Sequence, residues 1–306
     1  MQSGMIFSIL RGSLYDGPGI RTTVFFKGCN LRCLWCHNPE GLTPEPQLAY
    51  RAHLCINCGH VLYFVHTMYI PFPTAATSVD FSACSGCGIC AAQCPADALE
   101  VYGKRMTVEQ VMSIVLQDRH YYQDSGGLTL SGGEPLLQPA FAQGLLIEAK
   151  HNGLHTCVET AGCLSFSSLE SIAGLVDLFL FDYKSASAEN HRKLTGADNA
   201  QILANLDRLY RKGAKIRLRC PIVPGCNDTE AHFQSIAALH RQYPLLDGIE
   251  LMPYHDMGNS KAQAIGMKQT FSSSGSHTRT TIPLAQAFTA SRMPVIFKRR
   301  GRQCQK

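Results

Sequence analysis

The 306-residue chain has only one tryptophan, Trp35. It also lacks any apolar run approaching the roughly 20 residues that a membrane-spanning helix needs. The opening MQSGMIFSILRGS does not have the basic-then-apolar order of a secretory signal. Charge of one sign is scarce: 28 Lys and Arg against 23 Asp and Glu leave a formal +5, spread along the chain. The one basic knot, Lys298, Arg299, Arg300 and Arg302, lies at the C-terminal end and reads as a solvated tail rather than a nucleic-acid contact. These absences argue against a helical membrane protein and against a charge-steered nucleic-acid binder. The expectation is a cytoplasmic protein whose thiols stay reduced. In that compartment 14 cysteines point to metal or cluster ligation rather than disulfides.

Spacing gives that count its meaning. Gly28 to Glu40 reads GCNLRCLWCHNPE, so Cys29, Cys33 and Cys36 form C-x3-C-x2-C. Structural zinc takes four ligands, commonly as separated C-x2-C pairs, and fits this loop poorly. A 4Fe–4S cube is normally held by four thiolates. Three thiolates on one loop hold such a cube and leave one iron open for a substrate.

The rest of the chain alternates strand-like and helix-like runs. TTVFFK (22–27) precedes the cysteine loop, and further strands are predicted at 128–132, 155–159, 178–184, 215–223, 249–254 and 294–298. Helical patterns lie at 108–121, 139–152, 200–213 and 231–243. This β-then-α order implies an α/β fold with a parallel sheet, either a full or partial (β/α) barrel or a doubly wound open sheet. In both cases the chemistry collects at the C-terminal ends of the strands, where the Cys29 loop, Gly132-Gly133-Glu134, Glu159-Thr160, Asp182 to Lys184 and His255 are expected.

DGPGIRTTVFFKGCNLRCLWCHNPE (16–40), with an aromatic residue before the third cysteine, resembles the signature of the radical S-adenosylmethionine (SAM) enzymes that activate glycyl radical enzymes, relatives of the pyruvate formate-lyase activase. The resemblance continues in order through SGGEP (131–135), VETAG (158–162), FDYK (181–184), RCPIVPGCND (219–228) and LMPYHDMG (251–258). It implies a partial (β/α) barrel of the radical SAM type. It further implies a SAM-binding 4Fe–4S cluster on Cys29, Cys33 and Cys36. The SAM pocket would be made by Trp35, His37, Gly132, Gly133, Glu134, Asp182, Lys184 and His255. The implied partners are a glycyl radical enzyme as protein substrate and reduced flavodoxin or ferredoxin as electron donor, with no nucleic acid and no membrane. Glu159 stands where the family usually has Asp.

Residues 48–102 read as an insertion that splits the barrel domain into 1–47 and 103–306. CSGCGICAAQCP supplies Cys84, Cys87, Cys90 and Cys94 in the bacterial ferredoxin spacing for a 4Fe–4S cluster. A first run begins at Cys55 and Cys58 but is then disrupted, with Val61, Val65 and His66 where two cysteines and a proline belong. An out-of-frame stretch over 61–79 accounts for all three. The insertion therefore predicts one or two additional clusters. Cys157, Cys163, Cys220, Cys226 and Cys304 show no ligand spacing and read as ordinary thiols, and 268–281 reads as a loop. Two other functions stay open on the residues alone: another radical SAM reaction on a small molecule or nucleic acid, and an iron–sulfur electron-transfer protein.

Overall fold

The computed structural model describes residues 2–59, 79–268 and 271, and the backbone of 295–297. The disrupted part of the first cysteine run, Cys304 and most of 268–281 lie outside these residues. Strand β1 (Ser3–Ser13) pairs antiparallel with β2 (Arg21–Phe26). Strand β3 (Gln47–Tyr50) pairs antiparallel with β4 (Leu99–Tyr102) in a separate two-stranded sheet. β5 (Lys104–Thr107) returns to the edge of β1. The remaining strands are β6 (Gly127–Gly132), β7 (His155–Thr160), β8 (Leu178–Asp182), β9 (Ile216–Ile222), β10 (Gly248–Pro253) and β11 (Val295–Phe297).

The main sheet has the order β11-β10-β9-β8-β7-β6-β2-β1-β5, and β2 and β6 to β11 all run parallel. From β2 onward each parallel strand adds to the same side of the one before. A doubly wound sheet reverses this order at its switch point. Here it never reverses, so all the crossovers cover one face, and the architecture is a partial (β/α) barrel rather than the doubly wound alternative.

The strand sequences encode the two faces. Val24 and Phe26, Leu128 and Leu130, Phe179 and Phe181, Leu218 and Ile222, and Ile249 and Leu251 all join the large core shared with the helices. That core also takes in Phe141, Leu145 and Leu146 from the helix Pro139–His151, and Ile202, Leu206 and Leu209 from the helix Ala200–Arg211. The alternating positions on the other face are Thr129 and Ser131, Cys157 and Glu159, Leu180 and Asp182, Arg217 and Arg219, and Glu250. They point into the lumen of the barrel because side chains alternate across a strand.

The helix predicted over 108–121 is interrupted. Thr107 and Gln110 form a capping box at its start, but the α-helix ends at Val115, and a 3-10 turn over Leu116–Asp118 leads to Arg119–Tyr122. The Val115 carbonyl accepts the Tyr122 hydroxyl at 2.7 Å, and Asp118 turns inward to pair with Arg11 at 2.6 Å.

Within residues 48–102, Leu48 and Leu99 of the small sheet pack with Cys84, Cys90 and Cys94, and the helix Ile89–Ala92 carries Cys90. Two glycines mark close approaches between this stretch and the rest of the chain. A Cβ at Gly86 would lie 2.4 Å from the Pro46 carbonyl oxygen, and one at Gly266 would lie 2.2 Å from the Phe81 ring.

His232, on the helix Glu230–Gln242, is 2 % exposed and stacks on Tyr183 with centroids 5.5 Å apart. Neither ring nitrogen has a hydrogen-bond partner among the described residues. Burial lowers its pKa from 6.5 to about 4. Between these values the unfolded chain binds the extra proton, so this contribution to stability is complete above pH 6.5 and is lost as pH falls toward 4. His232→Phe, which keeps the stack, should show a smaller loss of stability than the wild type over that window in parallel denaturant titrations, by up to about 3 kcal/mol.

Candidate functional site

The cysteine loop begins where β2 ends, at the C-terminal edge of the sheet. Gly28 donates its amide to the Gly41 carbonyl at 2.9 Å, and Cys29 donates to Leu42 at 3.1 Å. Farther along, the amides of Arg32 and Leu34 reach the carbonyls of Thr195 and Leu194 at 2.7 and 3.0 Å. These acceptors lie in the last turn of the helix Ala188–Thr195, where carbonyls have no partner within their own helix. The irregular loop is therefore held by its main chain, leaving its thiols for other work.

The donor set suits an iron–sulfur cluster. Leu31 points its amide at the Cys29 sulfur from 3.4 Å, and the Asn38 amide faces Cys36. Among the described residues no three His, Cys, Asp or Glu side chains are arranged around a single metal ion. Burial raises the Cys29 thiol to about 11 and Cys36 to about 12, and raises Cys33 as well. In the metal-free protein these groups are protonated at neutral pH, so ligation must displace their protons.

Gly132-Gly133-Glu134 backs directly onto this loop. A Cβ at Gly133 would lie 2.1 Å from the Gly28 oxygen and 2.5 Å from the Gly41 oxygen. At Gly132, where φ is +110°, it would lie 2.3 Å from the Phe26 nitrogen. The close approach that these glycines permit is thus to the protein's own cysteine loop. The amide of Glu134 completes the contact by donating to Gly28 at 2.7 Å.

Glu134 is 1 % exposed, and its carboxylate accepts from the Thr160 hydroxyl at 2.9 Å and the Ala161 amide at 3.1 Å. Burial pushes it up to about 7 against these hydrogen bonds. At the end of β8, Lys184 pairs with Asp182 at 2.6 Å. Burial opposes the Lys184 charge, yet the Asp182 carboxylate outweighs it and raises the ammonium above its ordinary range. Asn227 fixes the Lys184 carbonyl at 2.8 Å while also accepting the Val223 amide.

His37 stacks on His255 with centroids 3.9 Å apart. Trp35 is buried with Leu194, Val223 and Tyr254, and the Tyr254 ring lies 5.9 Å from that of His37. The fold thus gathers Cys29, Cys33, Cys36, Gly132, Gly133, Glu134, Asp182 and Lys184 at one mouth. His37 and His255 meet each other beside the loop, and Trp35 is buried in the small core that includes Tyr254. Cys55, Cys58, Cys84, Cys87, Cys90 and Cys94 remain in the insertion.

Below the mouth lies a ladder of charges of which the sequence singled out only Glu159. Arg219 pairs with Glu159 at 2.6 Å and Glu250 at 3.4 Å, and Arg217 pairs with Glu250 at 3.0 Å and Asp247 at 2.5 Å. Ser131 donates to Glu159 at 2.5 Å. The alternating charges in the strand patterns IRLRC and GIE were the available signal. Asn227 lay within the RCPIVPGCND block, but nothing in that block marked its role.

Residues 23–236 match the family described as the Radical SAM superfamily, to which this chain belongs. It is 41 % identical over 267 residues to the isethionate sulfite-lyase activating enzyme of Oleidesulfovibrio alaskensis, covering 85 % of this chain and 86 % of that protein. The choline trimethylamine-lyase activating enzyme of the same organism is 38 % identical over 87 % of this chain and 88 % of its own length. The benzylsuccinate synthase activating enzyme of Thauera aromatica is 35 % identical over 96 % and 92 %. Within the superfamily the chain is one of the activating enzymes of glycyl radical enzymes. The Streptococcus suis SuiB structure bound to precursor peptide SuiA shares the fold, with a TM-score of 0.53 at 11 % identity over 88 % of this chain and 46 % of that one.

Gly133→Ala should cost about 3 kcal/mol or more, because its methyl group would meet fixed backbone. Gly174→Ala, where nothing lies within 4 Å, is the control. Thermal unfolding of both variants checks this: a Gly133→Ala chain as stable as the control would contradict the packing described.

Proposed function

We propose that Cys29, Cys33 and Cys36 hold a 4Fe–4S cluster with one iron left for SAM, and that the chain uses it to activate a glycyl radical enzyme. The observation that carries this reading is the meeting of the three-thiol loop, the Gly132 to Glu134 turn and the Asp182–Lys184 pair at the strand ends. When bound and reduced, the cluster supplies the electron that cleaves SAM to methionine and a 5′-deoxyadenosyl radical, which takes a hydrogen atom from a glycine of the partner.

The chain's own residues bind and orient. Lys184, held charged by Asp182, offers an ammonium to the methionine carboxylate, and Asp182 lies toward the ribose. Gly132 and Gly133 keep the turn tight against the cluster loop, and Glu134 ties that turn to the end of β7. Trp35 and His37 flank the adenine side, and His255 extends that wall by stacking on His37.

In the insertion we assign one additional 4Fe–4S cluster to Cys84, Cys87, Cys90 and Cys94. Their ferredoxin spacing and the packing of three of them in one small core support this. Cys55 and Cys58 lie outside that core and complete a second cluster only with ligands from elsewhere. Reduced flavodoxin or ferredoxin is the electron donor, and the requirement for reduced thiols suits the cytoplasm. Among the described residues no helix is long and apolar enough to cross a membrane.

The anaerobically reconstituted and reduced protein should form 5′-deoxyadenosine from SAM. Cys33→Ala should lower the rate by at least about a thousandfold, since the site loses a cluster ligand. A fully iron-loaded wild type that makes none would refute the proposal. Cys90→Ser should lower bound iron by about half if the insertion holds one 4Fe–4S cluster beside the first. Iron analysis that finds no change would remove the insertion cluster.

A further inference from the structure

The segment after Cys36 is gripped by a helix that the proposed chemistry does not use. Met257–Ala264 follows β10, and its second residue, Gly258, packs so closely on the cysteine loop that a Cβ there would lie 2.3 Å from the Cys36 carbonyl oxygen and 3.2 Å from the His37 Cα. One turn farther along, Lys261 reaches across to the same loop. Its ammonium donates to the His37 carbonyl at 3.2 Å and to the Asn38 side-chain oxygen at 3.1 Å, and it pairs with Glu40 at 2.7 Å.

Glu40 is 3 % exposed, and its other carboxylate oxygen has no hydrogen-bond partner among the described residues. Lys27 approaches from the opposite side, donating to the Glu40 backbone carbonyl at 2.7 Å. Glu40 is thus fastened at its main chain by Lys27 and at its side chain by Lys261. A single ammonium group holds three successive anchor points, at residues 37, 38 and 40, immediately after the third cysteine.

We propose that Lys261 is a positioning residue for the cluster and its ligand, fixing Cys36 and His37 by clamping the four residues that follow the third thiol. The inference rests on the cluster reading of Cys36 given above. A side chain that orients a metal ligand through its neighbours is conserved in effect only if its geometry is kept, so charge alone should not suffice.

The test compares the full-length wild type with Lys261→Met, Lys261→Arg and the double variant Glu40→Gln/Lys261→Met. The double variant removes the carboxylate that Lys261→Met leaves buried and unpaired, so that a folded chain without the clamp is available. All are reconstituted anaerobically, and three quantities are measured: SAM affinity, the change in the reduced-cluster EPR spectrum on adding SAM, and amide hydrogen exchange over residues 33–42 in the metal-free chain. In the double variant we expect SAM binding to weaken roughly tenfold or more, the scale of losing an outer partner of a metal ligand. The SAM-induced EPR change should broaden or shift, and exchange over 33–42 should accelerate. Lys261→Arg should recover part of each effect.

If the double variant binds SAM with wild-type affinity and gives the wild-type EPR change, Lys261 is a structural residue only and the inference fails, even if thermal stability drops. A wild type that shows no SAM-dependent EPR change overturns the cluster reading instead. In that case the exchange measurement still decides whether Lys261 holds the loop.

Discussion

The site depends on a contact between two pieces of main chain. The Gly132-Gly133 turn lies against Gly28 and Gly41 with no room for a side chain, and the Glu134 amide donates into the same contact. Because backbone cannot shift as a flexible side chain can, this junction sets the distance between the start of the cysteine loop and the end of β6. Thr160 and Ala161 bind the Glu134 carboxylate and carry the same reference frame to the end of β7. The loop, the turn and the third strand end therefore behave as one unit, and the Asp182–Lys184 pair faces that unit from β8.

The lumen beneath solves a different problem. Strands covered on both faces ordinarily read as continuous apolar runs, yet here one face carries Glu159, Arg217, Arg219 and Glu250. Glu250 and Asp182 both lie opposite Arg219 on the neighbouring strands, and Glu159 reaches the same Arg219 from two strands away. Such a ladder adds little net stability compared with an apolar core, but removing one member leaves its partner buried and uncompensated at a cost of about 3–5 kcal/mol. What it provides is a polar floor beneath the mouth where the cysteine loop, the Gly132 to Glu134 turn and the Asp182–Lys184 pair meet.

Much of this was legible in the sequence, for physical reasons. The strands announce themselves as short β-branched and aromatic runs, and the cysteine spacing is a local ligand pattern that needs no tertiary information. The choice between barrel and doubly wound sheet was not legible, because it depends on which side of the sheet each crossover takes. Trp35 was expected at the adenine side, and its ring lies buried with Leu194, Val223 and Tyr254. Gly132 and Gly133 were recognised as permitting a close approach, but what approaches them is Gly28, about a hundred residues earlier in the chain. Lys261 and Asn227 look like ordinary polar residues until the fold places them against carbonyls from other elements.

The contact between Lys261 and His37 joins residues 224 positions apart. In the order in which a ribosome delivers the chain, the three cysteines emerge long before their clamp. Until β10 and the helix after it have been made, the loop has thiols but no frame. Closing so long a loop is entropically costly, and the contact can form only after most of the sheet has assembled. The cysteine loop thus gains its full frame only as the fold is completed.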